Sequence, residues 1–181
     1  MRSPLVHSSY RWRGDFAAMS RMRIVIVDDE PTNVALLEDM LREAGHGRVK
    51  AITDSRLALE TCAAFDPDLV LLDLMMPHVD GFAILESLRA DNGEIFFPII
   101  VLTADVNEET KRRALCAGAT EFLVKPFDQL EILLRIANSL ETRRIHLLLD
   151  NQRAAFEEAV RTRSLELREA RAASVIEVEQ T

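Results

Sequence analysis

The stretch PDLVLLDLMMPHVDGF, residues 67–82, decides the fold of this chain, because it joins an unbroken apolar run to a single aspartate and a turn. Asp73 ends the run LVLLD, and the turn PHVDG follows at residues 77–81. A short apolar run without alternation is typical of a strand buried on both faces of a parallel sheet. The stretch therefore predicts a central strand that ends in a carboxylate.

Four other apolar runs complete the pattern. They read RIVIV at 23–27, VKAIT at 49–53, IIVLT at 99–103 and EFLVK at 121–125. Helical patterns fill the gaps between the runs and end near glycines such as Gly45 and Gly118. Strands that alternate with helices connect through right-handed crossovers, so we predict an α/β fold with an open sheet of five parallel strands.

The composition narrows the class of protein. The chain has 181 residues and a formal net charge of −8, with 48% hydrophobic and 29% charged residues. This balance excludes disorder over most of the length and favours one compact domain with an appendage. The acidity argues against direct nucleic-acid binding, because nucleic-acid phosphates attract positive surfaces.

Several features predict a cytoplasmic protein without a membrane partner. No apolar run approaches the roughly 20 residues of a membrane helix, and the first 22 residues lack the apolar core of a secretion signal. Cys62 and Cys116 lie in amphipathic stretches, so we expect both to be buried, reduced thiols.

Differences in composition and hydrophobic pattern divide the chain into three regions. We expect a loose leader at 1–21, an α/β domain at 22–142, and a helical linker or coiled coil at 143–181. The last region follows from the absence of glycine and proline after Phe127, which predicts one long C-terminal helix.

The long helix has two predicted apolar faces. We expect its first part to cover the sheet through Leu130, Leu133, Leu134, Ala137 and Leu140. Beyond about Thr142, apolar residues with 4-3 spacing predict a seam between two such helices in a homodimer; a solvated single helix is the alternative. The seam consists of Ile145, Leu149, Gln152, Phe156 and Ala159.

Polar residues with the means to bind a ligand stand at the ends of the first, third, fourth and fifth predicted strands. They are Asp28 and Asp29 after the first, Asp73 at the third, Thr103 at the fourth and Lys125 at the fifth. The carboxyl ends of parallel strands share one edge of the sheet, where ligands bind in folds of this kind. We therefore expect three carboxylates, a hydroxyl and an ammonium group in one pocket.

The crowded carboxylates indicate a metal and a phosphoryl group. Two like charges repel by about 1 kcal/mol at 4 Å in water and several times more at a lower effective dielectric constant. Lys125 offsets part of this repulsion, and Mg²⁺ is the natural second cation, because it binds few carboxylates and completes its shell with water and phosphate oxygens. Beside such a metal, an aspartate can act as a nucleophile and form an aspartyl phosphate.

Four strings identify a family resemblance over residues 22–140. IVIVDDEP, PDLVLLDLMMPHVDGF, PIIVLTA and AGATEFLVKPF resemble the receiver (CheY-like) domain of bacterial two-component response regulators. The resemblance implies a flavodoxin-like sheet of strand order 2-1-3-4-5 with helices on both faces. It also implies that Asp73 accepts phosphate from the phosphohistidine of a sensor histidine kinase.

The resemblance assigns further roles to the strand-end residues. It implies that Asp29, Asp73 and the carbonyl group of Met75 bind Mg²⁺, with Asp28 helping through water. By the same matching, Thr103 and Lys125 contact the bound phosphoryl group.

Other implied roles concern the switch. Phe122 corresponds to the aromatic residue that turns inward as Thr103 moves, and the Lys125–Pro126 bond would be cis. Met75 and Asp105 occupy the positions two beyond Asp73 and Thr103. In the family, the residues at these positions set the lifetime of the aspartyl phosphate, so the resemblance does not predict that lifetime for this chain.

The output is not visible in the sequence. Residues 147–170 are similar to helices that join receivers to HD-GYP cyclic di-GMP phosphodiesterase domains. The chain contains neither the His-Asp pair nor the Gly-Tyr-Pro sequence for which those domains are named. The chain thus fits either a fragment of such a regulator, whose output domain is absent from this chain, or a receiver with a helical tail. In both cases we expect no enzymatic activity beyond phosphotransfer to itself and slow loss of the phosphate.

Two other functions remain open at this point. A Mg²⁺-dependent phosphohydrolase of related architecture would also use an aspartyl nucleophile, but that class normally has an acid where this chain has Met75. A scaffold with a vestigial site would only dimerise.

Overall fold

The computed structural model describes residues 16–91 and 97–179 of the chain, and these residues contain five strands. The strands are β1 (Ile24–Val27), β2 (Val49–Ile52), β3 (Leu69–Asp73), β4 (Ile99–Thr103) and β5 (Glu121–Val124). All neighbouring pairs are parallel, and the order is β2-β1-β3-β4-β5. The predicted α/β class and strand order are therefore confirmed.

Six helices lie among the described residues. They are α1 (Phe16–Met19), α2 (Pro31–Glu43), α3 (Ala58–Phe65), α4 (Gly81–Asp91), α5 (Glu108–Cys116) and α6 (Gln129–Glu179). Side chains fix several starts: Asn107 accepts the Glu109 amide at α5, and Asp54 accepts the Arg56 amide at a short 3₁₀ turn before α3. Gly45, with φ of 91°, follows the end of α2 in the left-handed conformation that glycine adopts freely.

The central strands form the core of the sheet. Every residue of β1, β3 and β4 is buried, whereas the edge strands β2 and β5 are only partly buried. This burial explains why the central runs lack alternation, because a strand covered on both faces needs apolar side chains at every position.

The first part of α6 packs through a different face from the one predicted. Leu140 is fully buried as expected, but Leu130 is 50% exposed, and the fully buried stripe runs instead through Ile132 and Ile136. The other predicted residues of this face are only half-buried; they are Leu133, Leu134 and Ala137. The stripe ends at Arg143, whose Nε lies 3.5 Å from Asp68 Oδ1 at the start of β3. This part of α6 is so rich in apolar residues that two neighbouring faces of the helix are apolar, and only one of them packs against the sheet.

Contacts divide the chain into the units Met1–Arg143 and Arg144–Thr181. Within the predicted leader, Phe16–Met19 is helical and Met19 is buried, while residues 1–15 lie outside the described residues. The predicted boundaries at 21/22 and 142/143 remain predictions.

Two smaller expectations can be compared with the structure. Cys62 is buried, but Cys116 is exposed, so the expectation of two buried thiols is wrong. The reason is helical geometry: Cys116 lies two residues, about 200°, around α5 from the buried Ala114. Among the described helices, none combines the length and the apolar character that a membrane crossing requires.

The two leucines of α6 offer a test of the packing face. We expect Leu140→Ala to lower the free energy of unfolding by about 2–5 kcal/mol, because it leaves a cavity in a fully buried position. Leu130→Ala, the matched control on the same helix, should cost less than about 1 kcal/mol. Urea unfolding of both variants measures the difference, and equal losses would contradict the observed face.

Candidate functional site

The sheet brings the predicted strand-end residues to one edge. Asp28 follows β1, and Asp73 is the last residue of β3; the register that pairs Val27 with Leu72 sets these aspartates side by side. Thr103 ends β4 and pairs with Val124 of β5, so that Lys125 comes next at the same edge. The strand ends therefore do gather, as expected.

Lys125 joins two of the carboxylates. Its Nζ lies 2.6 Å from Asp28 Oδ2 and 2.6 Å from Asp73 Oδ2, and all three side chains are largely buried. Burial lowers the pKa of Lys125, but the hydrogen bonds to both aspartates outweigh it, so the pKa lies above its ordinary value. The ammonium group is therefore charged at neutral pH.

Asp28 has additional donors that sequence reasoning missed. The Asn33 side-chain amide lies 3.3 Å from each oxygen of the Asp28 carboxylate, and the Glu30 amide donates to Oδ1 at 3.0 Å. Asn33 lies in the first turn of α2, so its side chain reaches Asp28 at the end of β1. Its position five residues after Asp28 was the available signal, but asparagine is common near helix starts.

Three carboxylates form a set that could hold a divalent cation. One oxygen each from Asp28, Asp29 and Asp73 lies within 4.8 Å of the others, and Asp29 is half-buried while the other two are buried. Hard oxygen donors at this spacing suit Mg²⁺, which binds one or two carboxylates and retains water. The donors present thus fit the predicted ion.

Met75 and Thr103 flank the cluster through backbone contacts. The Met75 amide donates to Asp73 Oδ1 at 3.0 Å, while its side chain is 65% exposed. Thr103 is fully buried; its hydroxyl accepts the Asp105 amide at 3.2 Å, and its carbonyl accepts the Lys125 amide at 2.8 Å. The side-chain hydroxyl of Thr103 thus contacts the loop that leads to α5.

Two predicted features of β5 can also be located. Phe122 is half-buried against the core and pairs with Val101, two residues before Thr103 along β4. It belongs to the strand that carries Lys125, and its contacts are with the core. The Lys125–Pro126 peptide bond is cis, as the resemblance implied.

Comparisons with known proteins find similar sequences and similar folds. Residues 24–137 match the family model described as the response regulator receiver domain. A probable cyclic di-GMP phosphodiesterase from Vibrio cholerae is 33% identical over 149 residues, covering 82% of this chain and 33% of that protein. Response regulator PleD from Caulobacter vibrioides is 35% identical over 131 residues, covering 72% of this chain and 28% of its own. The chain thus spans about a third of the length of these relatives.

One solved structure with a similar fold contains a metal ion. The receiver domain of sensor histidine kinase PA1611 from Pseudomonas aeruginosa shares 31% identity and a TM-score of 0.60, with 66% of this chain and 98% of that chain covered. That structure is described as having a magnesium ion coordinated in its active-site cleft.

Lys125→Met tests the electrostatic role of the ammonium group. We expect the free energy of unfolding to fall by about 2 kcal/mol or more, because two buried carboxylates lose their shared counter-charge. A raised pKa stabilises the folded state below the ordinary value of 10.5 and loses that effect only as the pH rises through the folded pKa. The loss should therefore be constant from about pH 6 to about pH 9.

The control for this measurement is Lys50→Met, which removes an exposed lysine from β2. It should change the unfolding free energy by less than about 0.5 kcal/mol. If the Lys125 and Lys50 variants unfold at the same urea concentration, the ion pairs do not stabilise the fold.

Proposed function

The chain belongs to the response regulator receiver domain family, and on that premise we propose that Asp73 is the phosphoacceptor of a cytoplasmic two-component pathway. An oxygen of Asp73 attacks the phosphorus of a phosphohistidine on a sensor histidine kinase. The new oxygen–phosphorus bond forms as the phosphorus–nitrogen bond breaks, and the imidazole leaves. The observation that carries this proposal is the convergence of Lys125 and the acidic cluster on the Asp73 carboxylate.

We assign the metal to the same cluster. Asp29, Asp73 and the carbonyl group of Met75 are the proposed Mg²⁺ ligands, and Asp28 acts through water. When bound, the ion neutralises charge on the phosphoryl oxygens. Lys125 adds a second positive charge from the protein, and Thr103 supplies an O–H donor to one phosphoryl oxygen. The magnesium in the PA1611 receiver supports this assignment.

The proposed switch begins at Thr103 and continues into α5. A Thr103 hydroxyl that turns toward a phosphoryl oxygen changes its contact with the Asp105 amide. The Asp105 carboxylate in turn accepts hydrogen bonds from the Asn107 amide and the Thr110 hydroxyl, which holds its pKa below the usual range. A shift of Thr103, accompanied by Phe122, would thereby reach the start of α5.

The second unit is the proposed output element. Every described side chain from 148 to 168 is exposed, including Leu149 at 56% and Phe156 at 70%. Apolar residues at 4-3 spacing favour pairing with a second copy as a coiled coil. The Vibrio relative is named a probable cyclic di-GMP phosphodiesterase, which supports a further step, in which phosphorylation controls a phosphodiesterase domain. The resemblance of residues 147–170 to HD-GYP linkers is our reason for proposing the HD-GYP type.

Asp73→Asn tests the phosphoacceptor. Incubation with acetyl phosphate and Mg²⁺ should add one phosphate to the wild type in intact-mass spectra and none to the variant, because an amide oxygen is a poor nucleophile. Asp66→Asn, which removes an exposed carboxylate at the end of α3, should label like the wild type.

The same samples separate the alternative functions. Continuous hydrolysis of p-nitrophenyl phosphate, with turnover well beyond one phosphate per chain, would indicate a phosphohydrolase. Folded wild-type protein that takes up no phosphate would support the scaffold with a vestigial site.

Leu149→Glu tests the seam of the second unit. A glutamate at the seam places a charge in an apolar contact, so the dimer should weaken by about tenfold or more in the presence of beryllium fluoride and Mg²⁺. Light scattering over a range of protein concentrations measures the change. Ala154→Glu, on the opposite face of the helix, is the control, and equal effects of the two substitutions would contradict the assigned seam.

A further inference from the structure

The loop of residues 74–80, which follows the phosphoacceptor strand, is fixed at both ends against Asp73. At its start, the Met75 amide donates to Asp73 Oδ1. At its end, the Gly81 amide donates to the Leu74 carbonyl at 3.3 Å. A Cβ atom on Gly81 would lie 2.4 Å from the Asp73 carbonyl oxygen, so only glycine permits this approach. A displacement in the middle of this short loop must therefore be transmitted to its ends.

The middle of the loop has an unusual backbone conformation. The Val79 amide donates to the Pro77 carbonyl at 3.0 Å, which closes a three-residue γ-turn around His78. His78 has a φ of 73°, in the left-handed region that residues with a Cβ rarely adopt. Such a conformation costs free energy and persists only where surrounding contacts enforce it.

One side chain from outside the loop supplies the enforcing contacts. The Ser55 hydroxyl donates to the Pro77 carbonyl at 2.7 Å and accepts the Val79 amide at 3.1 Å. These are the same two backbone groups that close the γ-turn. Ser55 is only 3% exposed, so water competes little for either bond.

The position of Ser55 is itself fixed by its own segment. Ser55 begins the 3₁₀ turn after β2, where Asp54 accepts the Arg56 amide at 3.1 Å and also binds the Arg56 guanidinium group. The hydroxyl is therefore held by an element that is separate from the loop it contacts, 22 residues away in the chain.

We propose that Ser55 is a positioning residue for phosphoryl transfer. Its hydroxyl holds the γ-turn at 77–79. Because the loop of residues 74–80 is fixed at both ends, this turn in its middle also determines the positions of Met75 and of the Asp73 carboxylate. Without the hydroxyl, His78 can relax toward negative φ. The backbone of the other loop residues must then shift, and this shift displaces Met75. This inference rests on the proposed function, since it names a residue that orients the same phosphoacceptor.

Ser55→Ala removes the hydroxyl and tests the proposal. The rate of labelling by acetyl phosphate, measured across Mg²⁺ concentrations, should fall about tenfold at saturation, because a misplacement of about 1 Å can cost on the order of a hundredfold. The half-saturating Mg²⁺ concentration should also rise, since Met75 is a proposed ligand. Ser55→Thr, which retains a hydroxyl, should restore most of the rate.

The matched control is Ser139→Ala, which removes another buried hydroxyl from α6. Its rate and Mg²⁺ dependence should equal those of the wild type. Ser55→Cys keeps the shape of the side chain, with a larger atom in place of the oxygen, but hydrogen-bonds weakly, so it should show the Ser55→Ala defect even if the alanine variant folds poorly.

His78→Gly tests the route of the effect. Glycine adopts positive φ without strain, so Ser55→Ala should slow labelling much less in the His78→Gly background than in the wild type. An undiminished tenfold loss there, or wild-type kinetics for Ser55→Ala and Ser55→Cys, would overturn the positioning role. Absence of labelling in the wild type would instead overturn the phosphoacceptor function itself.

Discussion

The ion pairs from Lys125 to Asp28 and Asp73 are the constraint on which the site depends. They join residues 97 and 52 positions apart, so they form only when three strands have the correct order and register. Lys125 extends from β5 past the end of β4, where Thr103 is small and fully buried. A one-residue slip would turn these side chains to the other face of the sheet. The charged groups that would bind a phosphoryl group therefore come together only when the sheet has its correct strand order and register.

The central fold could be predicted because burial on both faces leaves a simple signal. Strands β1, β3 and β4 are buried at every position, and such strands appear in a sequence as continuous apolar runs. The edge strands were still recognisable, although Lys50 and Glu121 interrupt their apolar pattern. The site could be anticipated for a related reason. Once the strands are parallel, the residue type at each carboxyl end is enough to predict what collects there.

Contacts that depend on side-chain direction could not be predicted. The start of α6 is apolar at so many positions that Ile132 and Ile136 could replace the expected Leu130 in the packed face. Asn33 and Ser55 are ordinary residues for a helix start and a turn, and their contacts with Asp28 and Pro77 become visible only in three dimensions. A hydroxyl that holds a loop 22 residues away has no local sequence signal, because neither partner is unusual for its own segment.

The size of the proposed switch limits what the site alone can do. Moving an equilibrium from 1:99 to 99:1 requires about 5.5 kcal/mol, and a hydrogen bond to a charged group contributes about 1.5–3 kcal/mol. Lys125 already binds two carboxylates, so its contact with a phosphoryl oxygen is partly an exchange rather than a gain. Thr103 contributes one new donor but disturbs its bond to the Asp105 amide. The local gain therefore falls short of a complete switch, and the proposed pairing of two chains would add a further free energy. This free energy of association would grow with protein concentration.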